Sequence, residues 1–242
     1  MGDFFQGAGY LFRGAKHLLT PGLKRFVVLP ILFNFLLFTG LFFLLYHYLF
    51  PFADYYIKQL PAWLSFLHGF LVVVLFISTF LLFLSMFTVL FNIVAAPFNG
   101  LLAERAQLAL FKSEIPSLSF MQITLRSIKR QMQFLGYFFP RFIALLLLFF
   151  VPFIQPVYPF IWFFFNAWML SVQYQDFAMD NNLNSFGEMQ EKIKQYKLLS
   201  LGFGSIINLA SFIPVLNLFT MPAAVIGSVI LFCEQNKRSH TC

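Results

Sequence analysis

Cysteine and charge are both scarce in this 242-residue chain: two cysteines, and only 10% charged residues, against about 25% in soluble domains. Cys233 and Cys242 form no CxxC pair and have no histidine at metal-ligand spacing. That argues against a zinc site or a disulfide framework and reads as two reduced thiols. Proline and glycine are too few for a collagenous or low-complexity chain. No G-x-x-x-x-G-K-[ST] loop cradles a nucleotide phosphate, and neither H-E-x-x-H nor G-x-S-x-G occurs. ATP-driven pumping, zinc proteolysis and the common hydrolases are therefore unsupported. A non-enzyme without cofactor, metal site or catalytic residues is expected. The scattered histidines (His17, His47, His68, His240) suit interfaces better than a ligand set. Residues 1–20 carry Asp3, Arg13, Lys16 and His17 and lack an apolar run long enough for a signal peptide.

What the chain has is apolar surface: 60% hydrophobic residues, 38 of them phenylalanine, and a mean hydropathy of +0.80. This is the composition of an all-α integral membrane protein, read here as one membrane domain over 1–242. The net charge of +7 is better used for membrane topology than for nucleic acid, because lipid-soluble runs separate the basic residues.

Residues 1–20 place Phe4, Phe5, Ala8, Leu11 and Phe12 at helical spacing, predicting an amphipathic helix in the membrane interface. Thr20-Pro21 reads as an N-cap and first helical proline, opening a transmembrane helix over 21–50. A second transmembrane helix is expected over 61–96, extending to about 112, with a bend or protrusion at Pro97. Residues 117–135 and 185–197 read as amphipathic, and Gln173–Asn184 as a polar linker. The apolar stretches within 140–172 and 198–233 are interrupted, the first by Pro152, Pro156 and Pro159, the second by Pro214, Asn217 and Pro222. Their arms are short against the roughly 20 residues needed to span, so both read as partly penetrating helical hairpins. Such tips need burial in protein, which points to a homo-oligomer. With 51–62 on one side, 15 of 16 basic residues fall on the other. The positive-inside rule then puts both termini in the cytoplasm, whether the broken stretches are hairpins or short full spans.

Gly22, Leu23, Lys24 and Arg25 stand at the expected start of the first spanning helix. Unpaired N–H groups, the positive dipole end and two cations there can take an oxyanion; ordinary cytoplasmic anchoring explains the same two cations. Ser85, Asn92 and Asn99 recur every seven residues on the second helix. They form a polar stripe that suits a pathway lining or close helix packing alike. Glu104 and Arg105 close it at the cytoplasmic end, as pathway residues or as solvated interfacial charges. Arg141 stands at the mouth of the first hairpin, as part of a basic vestibule or as an anchor.

Four motifs together carry a resemblance: Gly22-Leu23-Lys24-Arg25; Ala96-Pro97-Phe98-Asn99-Gly100-Leu101-Leu102-Ala103-Glu104; Gln173-Tyr174-Gln175-Asp176-Phe177 with Asp180-Asn181-Asn182; and Ile213-Pro214-Val215-Leu216-Asn217-Leu218. Over essentially its whole length the chain resembles the CysZ family of bacterial sulfate permeases. The resemblance implies a sulfate channel or permease of the inner membrane supplying sulfate for cysteine synthesis. It also implies two long spanning helices and two partly penetrating hairpins. The family's Gly-Leu-Arg sulfate loop maps onto Gly22, Leu23 and Lys24, with Arg25 as the next basic residue. Lysine at the first basic position keeps the charge but not the planar fork, so a bidentate grip falls to Arg25. The resemblance also favours Asn92, Asn99, Glu104 and Arg105 as pathway residues. The competing reading is a non-transporting, membrane-shaping or scaffold protein; saturable sulfate binding discriminates the two.

Overall fold

A computed structural model describes residues 2–49, 51, 55, 58–59, 68–113, 115–116 and 119–236. Among them every regular element is helical. These are α1 (Gly2–Lys16), α2 (Lys24–Leu44) with a π-turn at Leu45–Leu49, α3 (His68–Phe111) and α4 (Phe120–Phe149). A 3-10 turn at Pro152–Ile154 leads into α5 (Tyr158–Asn181), α6 (Phe186–Gln195), α7 (Lys197–Ser211) and α8 (Pro214–Asn236). The chain divides into two compact units, Leu29–Ala96 and the remainder, so the division falls inside α2 and α3.

In the smaller unit, Phe38 and Phe83 meet edge to face at 5.3 Å, an arrangement the ring quadrupoles favour. Ser85 and Asn92 lie in α3 within this unit, and their side chains fall outside the described set.

The larger unit is built around α1, α5, α7 and α8, which pack on one another. Its core combines small and branched residues such as Ala167, Val172, Ile207, Ala224 and Val229 with the larger Tyr10, Met179 and Phe203. Backbones approach closely where glycine removes the Cβ. A Cβ on Gly14 would stand 2.0 Å from the Ala223 carbonyl, and one on Gly204 would stand 1.7 Å from the Ala167 carbonyl. Helix α1 thus buries Gly7, Tyr10, Leu11 and Gly14, while Phe5 and Phe12 stay exposed on its outer side. Arg13, exposed on α1, reaches α8: its Nη1 donates to Glu234 Oε2 at 2.8 Å, its Nη2 to Oε1, and the Tyr10 hydroxyl donates to Oε2 at 2.9 Å.

Helix α3 runs from His68 through Pro97 to Phe111. Several expectations are corrected here. Residues 120–149 form one helix through Pro140, merging the expected amphipathic segment with the first hairpin arm. Pro222 likewise lies inside α8. Neighbouring helices and local adjustment re-satisfy the carbonyls that a proline frees. The two interrupted stretches break at 150–157 and 212–213, beside Pro152, Pro156 and Pro214. The region read as a linker, Gln173–Asn181, is the last part of α5, with Gln175 and Asp176 buried. The Gln175 amide is satisfied within the packing: its Nε2 donates to Ser171 Oγ at 2.7 Å and Ser200 Oγ at 3.1 Å. Cys233 is buried and disulfide-bonded, not a reduced thiol; Cys242 lies outside the described residues. Among the described residues, Met121–Phe149 is the helix long and apolar enough to cross a membrane, with mean hydropathy 1.7.

Candidate functional site

The segment Thr20–Arg25 folds differently from an N-capped helix start. Leu23 N–H donates to Thr20 O at 3.0 Å, and Gly22 has φ +92°. Proline at the second position and glycine with positive φ at the third make this a type II turn. Helix α2 begins only at Lys24. The Leu23 amide, expected to face a ligand, closes the turn, and its side chain is fully buried. The first contact back to the turn is Phe26 N–H to Leu23 O at 2.9 Å. The amides of Gly22, Lys24 and Arg25 therefore precede the helical ladder and remain the ones able to meet an anion. Lys24 and Arg25 are exposed; the Arg25 guanidinium lies 5.0 Å from the Phe26 ring, stacked on an apolar face.

A second polar concentration, absent from the sequence-based site, lies where the end of α3 and the start of α4 meet the end of α5. A pocket there is lined by Gly100 and Glu104 of α3, Arg126 and Arg130 of α4, and Asp176, Asp180 and Asn181 of α5. Its enclosed space is about 40 Å³, room for a few waters. Ser119 starts α4 with a capping box, accepting from Gln122 N–H at 3.3 Å while its own N–H donates to Gln122 Oε1 at 2.9 Å. That start sets Arg126 and Arg130 one turn apart. Arg126 Nη2 donates to Asp180 Oδ1 at 2.7 Å and to the Asp180 carbonyl at 2.9 Å. Arg130 Nε donates to Asp180 Oδ1 at 2.8 Å, and its Nη2 donates to the Asn184 carbonyl.

Asp176 is placed otherwise. Its Oδ1 lies 3.6 Å from Arg130 Nη1, beyond hydrogen-bond reach, and neither atom has another hydrogen-bond partner. Burial pushes the Asp176 carboxyl up to about 7; Arg130 opposes the shift and Asp180 adds to it. The arginines are committed to carboxylates and carbonyls, and three acidic groups share the pocket with two cations. Electrostatically it is no second oxyanion site.

Of the expected pathway residues, Glu104 lines this pocket half-buried, Asn99 is buried, and Arg105 is exposed. Lys24, Arg25, Asn99 and Arg105 are not part of its lining. Arg141 is not a free vestibule charge: it lies 3.6 Å over the Tyr137 ring and donates to the Tyr137 carbonyl at 2.7 Å. The signal that could have found the pocket is the spacing: Arg126/Arg130 and Asp176/Asp180 are complementary i, i+4 pairs on adjacent helices.

The family "Sulfate transporter CysZ/Etoposide-induced protein 2.4" matches residues 10–222, which include both the turn and the pocket. The chain belongs to this family. It is 37% identical over 233 residues to the protein "Sulfate transporter CysZ" of Pectobacterium atrosepticum, covering 95% of this chain and 85% of that one. To the protein so named in Pseudomonas fluorescens it is 37% identical over 95% of this chain and 93% of that one. To that of Salmonella typhimurium the identity is 38%, over 97% and 94%. Family membership and the apolar helices identify an all-helical membrane protein.

Proposed function

We propose that this chain is a sulfate channel or permease of the bacterial inner membrane, supplying sulfate for assimilation into cysteine without ATP. The carrying observation is the full-length likeness to proteins named sulfate transporters, which spans the turn, the polar pocket and both helix breaks. The same likeness weighs against a membrane-shaping scaffold. The Thr20–Arg25 turn binds the oxyanion through the Gly22, Lys24 and Arg25 amides, with Lys24 as a point charge and Arg25 as a planar fork. Leu23 holds the turn from beneath. Sulfate passes beside the Ser85, Asn92 and Asn99 stripe of α3, with Glu104 and Arg105 at its end. Both termini face the cytoplasm, the two broken stretches enter the bilayer as hairpins, and the protein is a homo-oligomer.

Sulfate flux into liposomes and calorimetric sulfate binding test the site. The Lys24→Ala/Arg25→Ala protein should bind sulfate at least about tenfold more weakly, since two charge-assisted contacts are lost, and its flux should fall with it. Wild-type affinity and flux in that variant would overturn the assignment.

A further inference from the structure

Resting on the reading that the chain transports sulfate past Glu104, we propose that Arg126, Arg130, Asn181, Asn182 and Gln107 are positioning residues that hold the Glu104 segment of α3 in register. The geometry forms a relay of three helices. Helix α5 ends with Leu183 at φ 60°, Leu183 N–H bonded to Asp180 O and Asn184 N–H bonded to Met179 O, the Schellman arrangement of a helix end. Arg126 and Arg130 of α4 grip that end through the Asp180 carboxylate and through the Asp180 and Asn184 carbonyls. Cations there complement the negative end of the helix dipole.

The end so fixed carries Asn181 and Asn182, and both reach α3. Asn181 Nδ2 donates to the Gly100 carbonyl at 2.8 Å. Asn182 and Gln107 exchange amide hydrogen bonds, Gln107 Nε2 to Asn182 Oδ1 at 3.0 Å and Asn182 Nδ2 to Gln107 Oε1 at 2.8 Å. Gln107 is fully buried, and its Nε2 also donates to Ser113 Oγ at 3.3 Å, so its amide needs partners that protein groups supply. Gly100 and Gln107 are seven residues apart on one helix, two turns, and Glu104 lies between them. One attachment would leave α3 free to slide or rotate; two attachments on one side remove both freedoms. None of the five need touch the ion: the arginines bond the Asp180 carboxylate and the Asp180 and Asn184 carbonyls, and the amides bond Gly100 and each other.

The experiment measures sulfate flux in liposomes and calorimetric sulfate affinity side by side. Gln107→Asn shortens the amide pair, and flux should fall about fivefold, the effect of one net hydrogen bond, with sulfate affinity at the turn unchanged. The exchange Gln107→Asn/Asn182→Gln restores the combined length and should restore flux, a rescue that general destabilisation does not produce. Arg130→Lys keeps the charge and loses the fork, and should behave as Gln107→Asn does; should it fail to fold, the amide variants carry the test. Wild-type flux in Gln107→Asn, no recovery in the exchange, or affinity falling in step with flux overturns the proposal. Absence of sulfate flux in the wild-type protein overturns the transport reading and this inference with it.

Discussion

Asp176 is a carboxyl group buried where its charged form is disfavoured, with its ordinary value of 3.8 pushed up to about 7. Between about pH 4 and pH 7 the folded chain holds a proton that the unfolded chain has released, so stability falls as pH rises through that window and levels off above it. Across that window the loss is at most about 4 kcal/mol. Thermal unfolding in detergent at pH 5 and pH 8 should show the decline in wild-type protein and its loss in Asp176→Asn; equal slopes in the two would sink the assignment. Gly22 is a different kind of singular residue. Its φ of +92° suits glycine and disfavours a Cβ, so Gly22→Ala should cost about 1 kcal/mol and weaken sulfate binding. Unchanged affinity would mean the turn geometry is not part of the site. Neither role was legible from residue type alone. Asp176 sits in a stretch whose polarity suggests a solvated linker, whereas its partners lie on a helix some fifty residues earlier. Pro21-Gly22 supports a helix start as well as a type II turn until the Leu23–Thr20 hydrogen bond is seen.

At the scale of elements, proline reads unevenly. Pro152 and Pro156 do mark the break between α4 and α5, and Pro214 opens α8 after a short turn. Pro97, Pro140 and Pro222 lie within continuous helices. Proline alone therefore does not mark a break, and its position in the sequence does not separate the two cases. Glycine shows the same limit. Gly14 and Gly136 are alike in sequence, yet a Cβ on Gly14 meets the Ala223 backbone and one on Gly136 meets nothing within 4 Å. Gly14→Val should therefore destabilise by about 1–3 kcal/mol, as overpacked cores do. Gly136→Ala should be neutral or stabilising by up to about 1 kcal/mol. Matching melting temperatures for the two variants would contradict the close seating of α1 on α8.

For the molecule as a whole, the apolar character, the helical class and the family were all readable early, because composition and four dispersed motifs do not depend on tertiary detail. The three-helix relay was not, since each of its partners looks ordinary in isolation. Hairpins and full crossings differ in where the 150–157 tip ends, and Phe153 at that tip is 93% exposed. With the native cysteines replaced, Phe153→Cys in sealed vesicles should resist a membrane-impermeant maleimide from both sides if the tip stops within the bilayer. Labelling from the side opposite the termini would establish a full crossing. The grip of Arg13 on Glu234 has a consequence in time as well as in space. Helix α1 packs on α7 and α8, which are made more than 180 residues later in the chain. Helix α1 thus has no seat until α7 and α8 have been made, and its docking is a late checkpoint that only a chain reaching Glu234 can pass.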